Sequence, residues 1–237
     1  MKIYFELPEI YLSNFERIIN YTAELRNLID GIFVPDLPLK KPTIDACALI
    51  GVLKDKMSEK EIIITQSVGH RSLAANKSRL QCIKKMGINS VLLVQGPYTF
   101  TKVNDVLDYA FSKFRIGAVF NEKTLESRIK GGVKFFVTQV FPEVNDLKGV
   151  KKISDLDLFL TIGISNKKEN YLKLKEKGFN VPEELLKSDE PLKSVINYYA
   201  TIADYIGKNP DIYLIALTKE LDYLYMYDFV KRIKNRL

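Results

Sequence analysis

IIITQSVGHRSLAANKSRLQCIKKMGINSVLLVQGP, residues 62–97, decides how this chain folds. Its first apolar, β-branched run, from Ile62 to Thr65, is too short for a helix and reads as a strand. Leu73, Leu80, Ile83 and Met86 then recur at helical spacing, with Lys77, Arg79, Lys84 and Lys85 between them. Gly87 ends that helix, because glycine takes the left-handed position past a helix end without a Cβ penalty. Residues 89–94 form a second apolar run, stopped by Gly96-Pro97. Two buried strands joined by one helix make a βαβ unit, whose strands lie parallel and whose crossover is right-handed. Its working polar residues belong just past the strand ends, at 66–72 and 95–98.

Outward from this unit the same arrangement repeats. Strands are expected at residues 2–7, 31–34, 115–119, 133–139, 156–162 and 212–217, in addition to the two above. Helices are expected at 14–28, 43–54 (capped by Thr43), 103–111, 123–130, 167–177, 191–206 and from 219 towards 236, with a short one near Asn145. Phe15, Ile18, Ile19, Leu25 and Leu28 mark the inner side of the first helix. Eight strands, each followed by a helix and with no composition break or linker, match a single (β/α)8 barrel domain over residues 1–237. A doubly wound open sheet is the competing architecture.

Composition bounds the rest. The chain has 237 residues, 46% apolar and 27% charged, as an ordinary globular protein does. No run of eighteen apolar residues predicts a membrane span, and a carboxylate at Glu6 interrupts any leader-like apolar start. Cys47 and Cys82 are expected as small core residues on apolar helix faces rather than as a disulfide, which fits a cytoplasmic protein. The net charge of +7 is spread along helices and paired with glutamates, so neither nucleic acid nor a membrane is the expected partner. Such a surface suits an anionic, phosphate-bearing cofactor.

In a barrel the active site lies at the C-terminal strand ends. Those ends supply Glu6, Asp36, residues 66–71, Gln95, Phe120 with Asn121 and Glu122, Gln139, Ser165 with Asn166, and Thr218. The cup is rich in amides. His70 is the only histidine, and no Cys/Asp cluster has metal-ligand spacing. No Gly-x-Ser-x-Gly elbow accompanies a Ser-His-Asp triad. A paired-carboxylate glycosidase could draw on Glu6 and Glu122, although their spacing does not require it.

Several stretches in order resemble the methylenetetrahydrofolate reductase family of flavin-containing barrels. Tyr4-Phe5-Glu6-Leu7-Pro8 is similar to that family's first strand, which ends in Glu followed by prolines. DGIFVPDLPL, residues 30–39, resembles its "VDAINIPDNPLG", with Lys40 in place of the last Gly. Residues 62–96 follow its "H-x-T-C-R-D-R-N … G-I-R-N-V-L-x-L-x-G-D" unit, with Arg71 on the second Arg. GGVKFFVTQVF, residues 131–141, resembles "A-G-A-x-F-x-x-T-Q-x-F". Gly163-Ile164 and KEKGFNVPEELL, residues 175–186, resemble "P-G-I" and "G-V-x-V-P-E-E-L".

The resemblance implies a hydride path from a reduced nicotinamide, through bound FAD or FMN, to a methylene-bridged tetrahydrofolate or a related C1-carrier pterin. It makes Glu6 the general acid that helps open the folate ring, with a pKa raised by burial. It assigns Gln139, with Gln95, to substrate. To flavin it assigns Asp36, His70, Arg71, Gly96, Phe120 and Arg128, the last near the phosphate.

The departures carry a second reading. The family's Gly-Asp after strand four, whose Asp tunes the flavin, is here Gly96-Pro97. Its Cys-Arg-Asp-Arg-Asn stretch is Val68-Gly69-His70-Arg71-Ser72, and its Pro-Glu-x-His-Pro loop is reduced to Asn121-Glu122-Lys123. That reading is a flavin-free barrel that binds pterin or a partner subunit in methyl transfer. Tyr223, Tyr225 and Tyr227 are expected either in an interface, a homo-oligomer included, or packed on the barrel.

Overall fold

A computed structural model describes residues 1–36, 43–153, 155–217 and 223–236. Eight parallel strands close into a barrel in chain order. They are β1 (Ile3–Glu6), β2 (Gly31–Asp36), β3 (Glu61–Ser67), β4 (Ser90–Val94), β5 (Arg115–Val119), β6 (Val133–Val137), β7 (Asp157–Ile164) and β8 (Asp211–Ala216). Pairing of β1 with β8, Tyr4 opposite Tyr213, shuts the barrel and excludes the open sheet. The deciding unit folds as read: β3, then α3 (Leu73–Lys85), then β4 in parallel register, with Gly87 at φ +77°.

Around the strands lie α1 (Phe15–Leu25), α2 (Ala46–Lys56), α4 (Val103–Ala110), α5 (Leu125–Lys130), α6 (Lys168–Glu176), α7 (Glu183–Lys187), α8 (Pro191–Ile206) and α9 (Tyr223–Arg236). Local chemistry moves some expected boundaries. The cap of α2 is Asp45, whose side chain accepts from Cys47 N at 2.7 Å, so Thr43 is not the cap. The first helix stops at Leu25, three residues short. Near Asn145 there are only short 3-10 turns. On α3 the inner face is Asn76, Leu80 and Ile83, while Leu73 and Met86 are each more than a third exposed. The cysteines are both free: Cys47 is half-buried, but Cys82 is exposed rather than core.

Side chains alternate across each strand, and the alternation sorts the core in two. Ile32, Val34, Ile64, Leu93 and Ile116 face outward into the layer shared with the helices. Tyr4, Phe33, Ile63, Leu92, Phe135, Val137, Phe159 and Tyr213 fill the lumen. Edge-to-face pairs, such as Tyr4 with Phe159 at 5.0 Å and Phe135 with Phe159 at 5.5 Å, plug its middle. This aromatic layer needs missing side chains beside it. A Cβ on Gly31 would lie 2.4 Å from the Tyr4 ring, and one on Gly117 would lie 2.0 Å from that of Phe135.

Below the plug, at the N-terminal face, Arg115 pairs with Glu61 at 3.0 Å and with Asp157 at 2.5 Å. Glu61 also accepts from the Tyr4 and Ser90 hydroxyls, each at 2.6 Å. Charge at that end of a barrel serves stability. Any binding site therefore lies above the plug, at the C-terminal mouth.

Candidate functional site at the barrel mouth

The same alternation decides which strand-end residues reach the mouth. Glu6 shares the inward side of Tyr4, and Gln139 continues the inward side of Phe135 and Val137. Asp36, Gln95 and Phe120 continue the outward series of Val34, Leu93 and Ala118.

Glu6 closes β1 and is partly buried. The Tyr213 hydroxyl of β8 donates to Glu6 Oε2, and the Tyr213 ring lies on Phe33 with centroids 4.1 Å apart. Burial pushes the Glu6 carboxyl up to about 8, so it holds its proton at neutral pH. Tyr213 was not among the sequence candidates. Its alternation with Asp211 and Ile215 on β8 is the signal that could have found it.

On β3, Thr65 and Ser67 share the inward side of Ile63 and are buried. The Thr65 hydroxyl has no hydrogen-bond partner among the described residues. Ser67 Oγ lies 3.2 Å from His70 Nδ1, while His70 Nε2 is buried without a partner among the described residues. Burial, then the Arg71 charge, hold the His70 pKa below its ordinary value, so its ring is neutral near pH 7. Gly96, at φ +71°, lets the β4 loop close over this pair. A Cβ there would lie 2.1 Å from Ser67 Oγ.

The remaining predicted residues are engaged within the protein. Arg71 grips Asp36 through both guanidinium nitrogens, at 2.7 and 2.8 Å, and donates to Ser67 O at 3.0 Å. Arg79 of α3 reaches Asp36 at 3.1 Å from the other side and also pairs with Asp45. Gln95 staples its own loop: its amide donates to Tyr98 O and Thr101 O, at 2.9 and 3.0 Å, and accepts from Val103 N. Phe120 is buried edge-on to Phe136 at 5.9 Å, and Arg128 turns inward to donate to Val119 O.

Arg71 and Arg128 each have a guanidinium nitrogen engaged within the protein, and Pro97 supplies no carboxylate. Among the described residues no group of three or more His, Cys, Asp or Glu could hold a metal, and no helix is long and apolar enough to cross a membrane. Tyr225 packs on the barrel with its hydroxyl on Ser165 O at 2.7 Å, whereas Tyr227 is 45% exposed. Residues 37–40, Thr218 and the side chain of Tyr223 lie outside the described residues.

Beside Gln139 a groove of about 550 Å³ opens between the loops that follow β5 and β6 and the turn after α6. Its lining includes Phe120, Glu122, Phe141 and Phe179.

No model of a protein family matches the chain, and no match among curated proteins was found. A solved structure does match. It is an uncharacterized protein from Clostridium thermocellum that binds two copies of 5-methyl-5,6,7,8-tetrahydrofolic acid. The likeness spans 99% of this chain and 95% of that one, with a TM-score of 0.72 and 16% identity. At that identity it shows the fold. The reductase family is a separate matter, on which the match is silent.

Proposed function

We propose that this barrel binds a reduced folate, a C1-carrying pterin, at its mouth, and does so without flavin, as a binding protein or subunit in methyl transfer. The observation that carries the reading is the Glu6–Tyr213 pair above the aromatic plug. A protonated carboxyl presents a donor and an acceptor side by side. That pattern complements the amide-like edge of a pterin, while the buried Tyr213 and Phe33 rings, tilted by 34°, close the lumen beneath it as an apolar floor. The end-to-end likeness to a barrel that binds 5-methyltetrahydrofolate supports the ligand class. Against flavin stand the two arginines spent on Asp36 and Val119.

The flavin-dependent reductase reading keeps one observation in its favour. Glu6, raised to about 8, holds the proton that a general acid would give. Two titrations of the purified protein separate the readings: 5-methyltetrahydrofolate by calorimetry, and FMN or FAD by visible absorbance. Folate uptake without flavin uptake is expected, with Glu6→Ala weakening folate about tenfold, the loss of one good hydrogen bond. No folate uptake would sink the proposal. A flavin band that bleaches with a reduced nicotinamide would restore the reductase.

A further inference from the structure

The groove beside Gln139 is not part of the floor formed by Glu6, Tyr213 and Phe33. Its volume falls within the range of small-molecule sites. Its backbone is held in a rarely adopted form. Phe141, a groove residue, sits at φ +50°, in the left-handed region that glycine favours. It is kept there by its N–H on Thr161 O at 3.1 Å and by edge-on packing of its ring against Tyr198 at 5.4 Å. Strain of this kind clusters at ligand-binding sites.

The rim chemistry selects the ligand. Phe179 presents a ring that is 39% exposed beside the buried rings of Phe120 and Phe141. The Glu122 carboxylate and the amides of Gln139, Asn145 and Asn180 line the groove, and their side chains make no hydrogen bond or ion pair to any described residue. Asp146 adds a second carboxylate, and Lys123 is the one cation among the lining residues. Two carboxylates against one lysine disfavour an anionic group. Two carboxylates, with amides that both accept and donate, beside the exposed Phe179 ring suit a flat heterocycle that carries N–H donors.

We infer that this groove is a second binding site, separate from the mouth, for a planar N–H-rich heterocycle of the pterin class. The choice of pterin rests on the folate reading of the mouth; the groove's preference for N–H donors does not. Recognition runs through the ring, so tetrahydropterin, which lacks the benzoylglutamate tail, binds here as well.

Calorimetric titration with 5-methyltetrahydrofolate tests this directly. Two equivalents per chain are expected. Phe179→Ala and Glu122→Gln, both at exposed positions, should each weaken one of the two events at least tenfold and leave the other unchanged. Glu6→Ala should affect the event that those variants spare. One equivalent that neither groove variant alters would overturn the groove and leave the mouth. One equivalent weakened by variants at both places would make them a single site, which also overturns the inference. Binding lost on groove substitution yet indifferent to Glu6→Ala would instead overturn the mouth reading, and no uptake would overturn both.

Discussion

Tyr213 donates its hydroxyl to Glu6 across the seam where the last strand meets the first, between residues 207 positions apart in the chain. Barrel closure therefore builds the pair. Burial favours the neutral carboxyl, whereas a hydrogen bond donated to a carboxylate favours the ionised form.

Removing that donor should move Glu6 further from its ordinary value. Tyr213→Phe keeps the ring on Phe33 and loses only the hydroxyl. The Glu6 pKa should rise above 8 by about one unit, the worth of one hydrogen bond. A carboxyl-carbon NMR titration reads it; an unchanged or lower value would show that the bond does not act on Glu6.

Glu6 also links stability to pH. Its folded pKa lies above its unfolded value, so between pH 4.5 and about 8 the folded state holds a proton that the unfolded chain has released. Stability then falls as pH rises through that window and levels off above 8, with a limiting slope of about 1.4 kcal/mol per pH unit for one proton. Glu6→Gln should remove this component. Urea unfolding of both proteins at pH 5, 7 and 9 measures the difference, and parallel profiles would refute it.

Asp36 has two cationic partners of unequal burial: the Arg79 side chain is 8% exposed and that of Arg71 is 20%. Arg79→Ala leaves Asp36 its two-pronged Arg71 but strips half-exposed Asp45 of its partner and removes a buried guanidinium, and should cost about 1–3 kcal/mol. Arg71→Ala leaves Asp36 paired with Arg79 and should cost less than half as much. Denaturant midpoints order the two variants.

Gln95 and Gln139 should separate in a paired experiment. Gln95→Ala frees the carbonyls of Tyr98 and Thr101 and should cost about 1–3 kcal/mol of stability. Gln139→Ala, at an exposed position lining the groove, should leave stability within about 0.5 kcal/mol and weaken the groove's folate event about tenfold. The reverse pattern would mean that the inward and outward sides have been misassigned.

The sequence by itself determined the eight strands and most of the helices between them, because periodicity and glycine stops are local properties of the chain. The closed barrel, as against an open sheet, was decided by the pairing of β1 with β8. The sequence also put Glu6 and Gln139 at strand ends. It did not tell them from Asp36, Gln95 and Phe120, which end strands too. A two-residue period identifies two faces without saying which faces the lumen, and only lateral pairing of all eight strands settles that. Nor did the sequence bring Arg71 and Arg79 onto Asp36, or Tyr213 onto Glu6. Those contacts join residues from 35 to 207 positions apart, so they exist only once the barrel has closed. The raised pKa of Glu6 follows for the same reason, since burial is a property of the closed barrel and not of the residue.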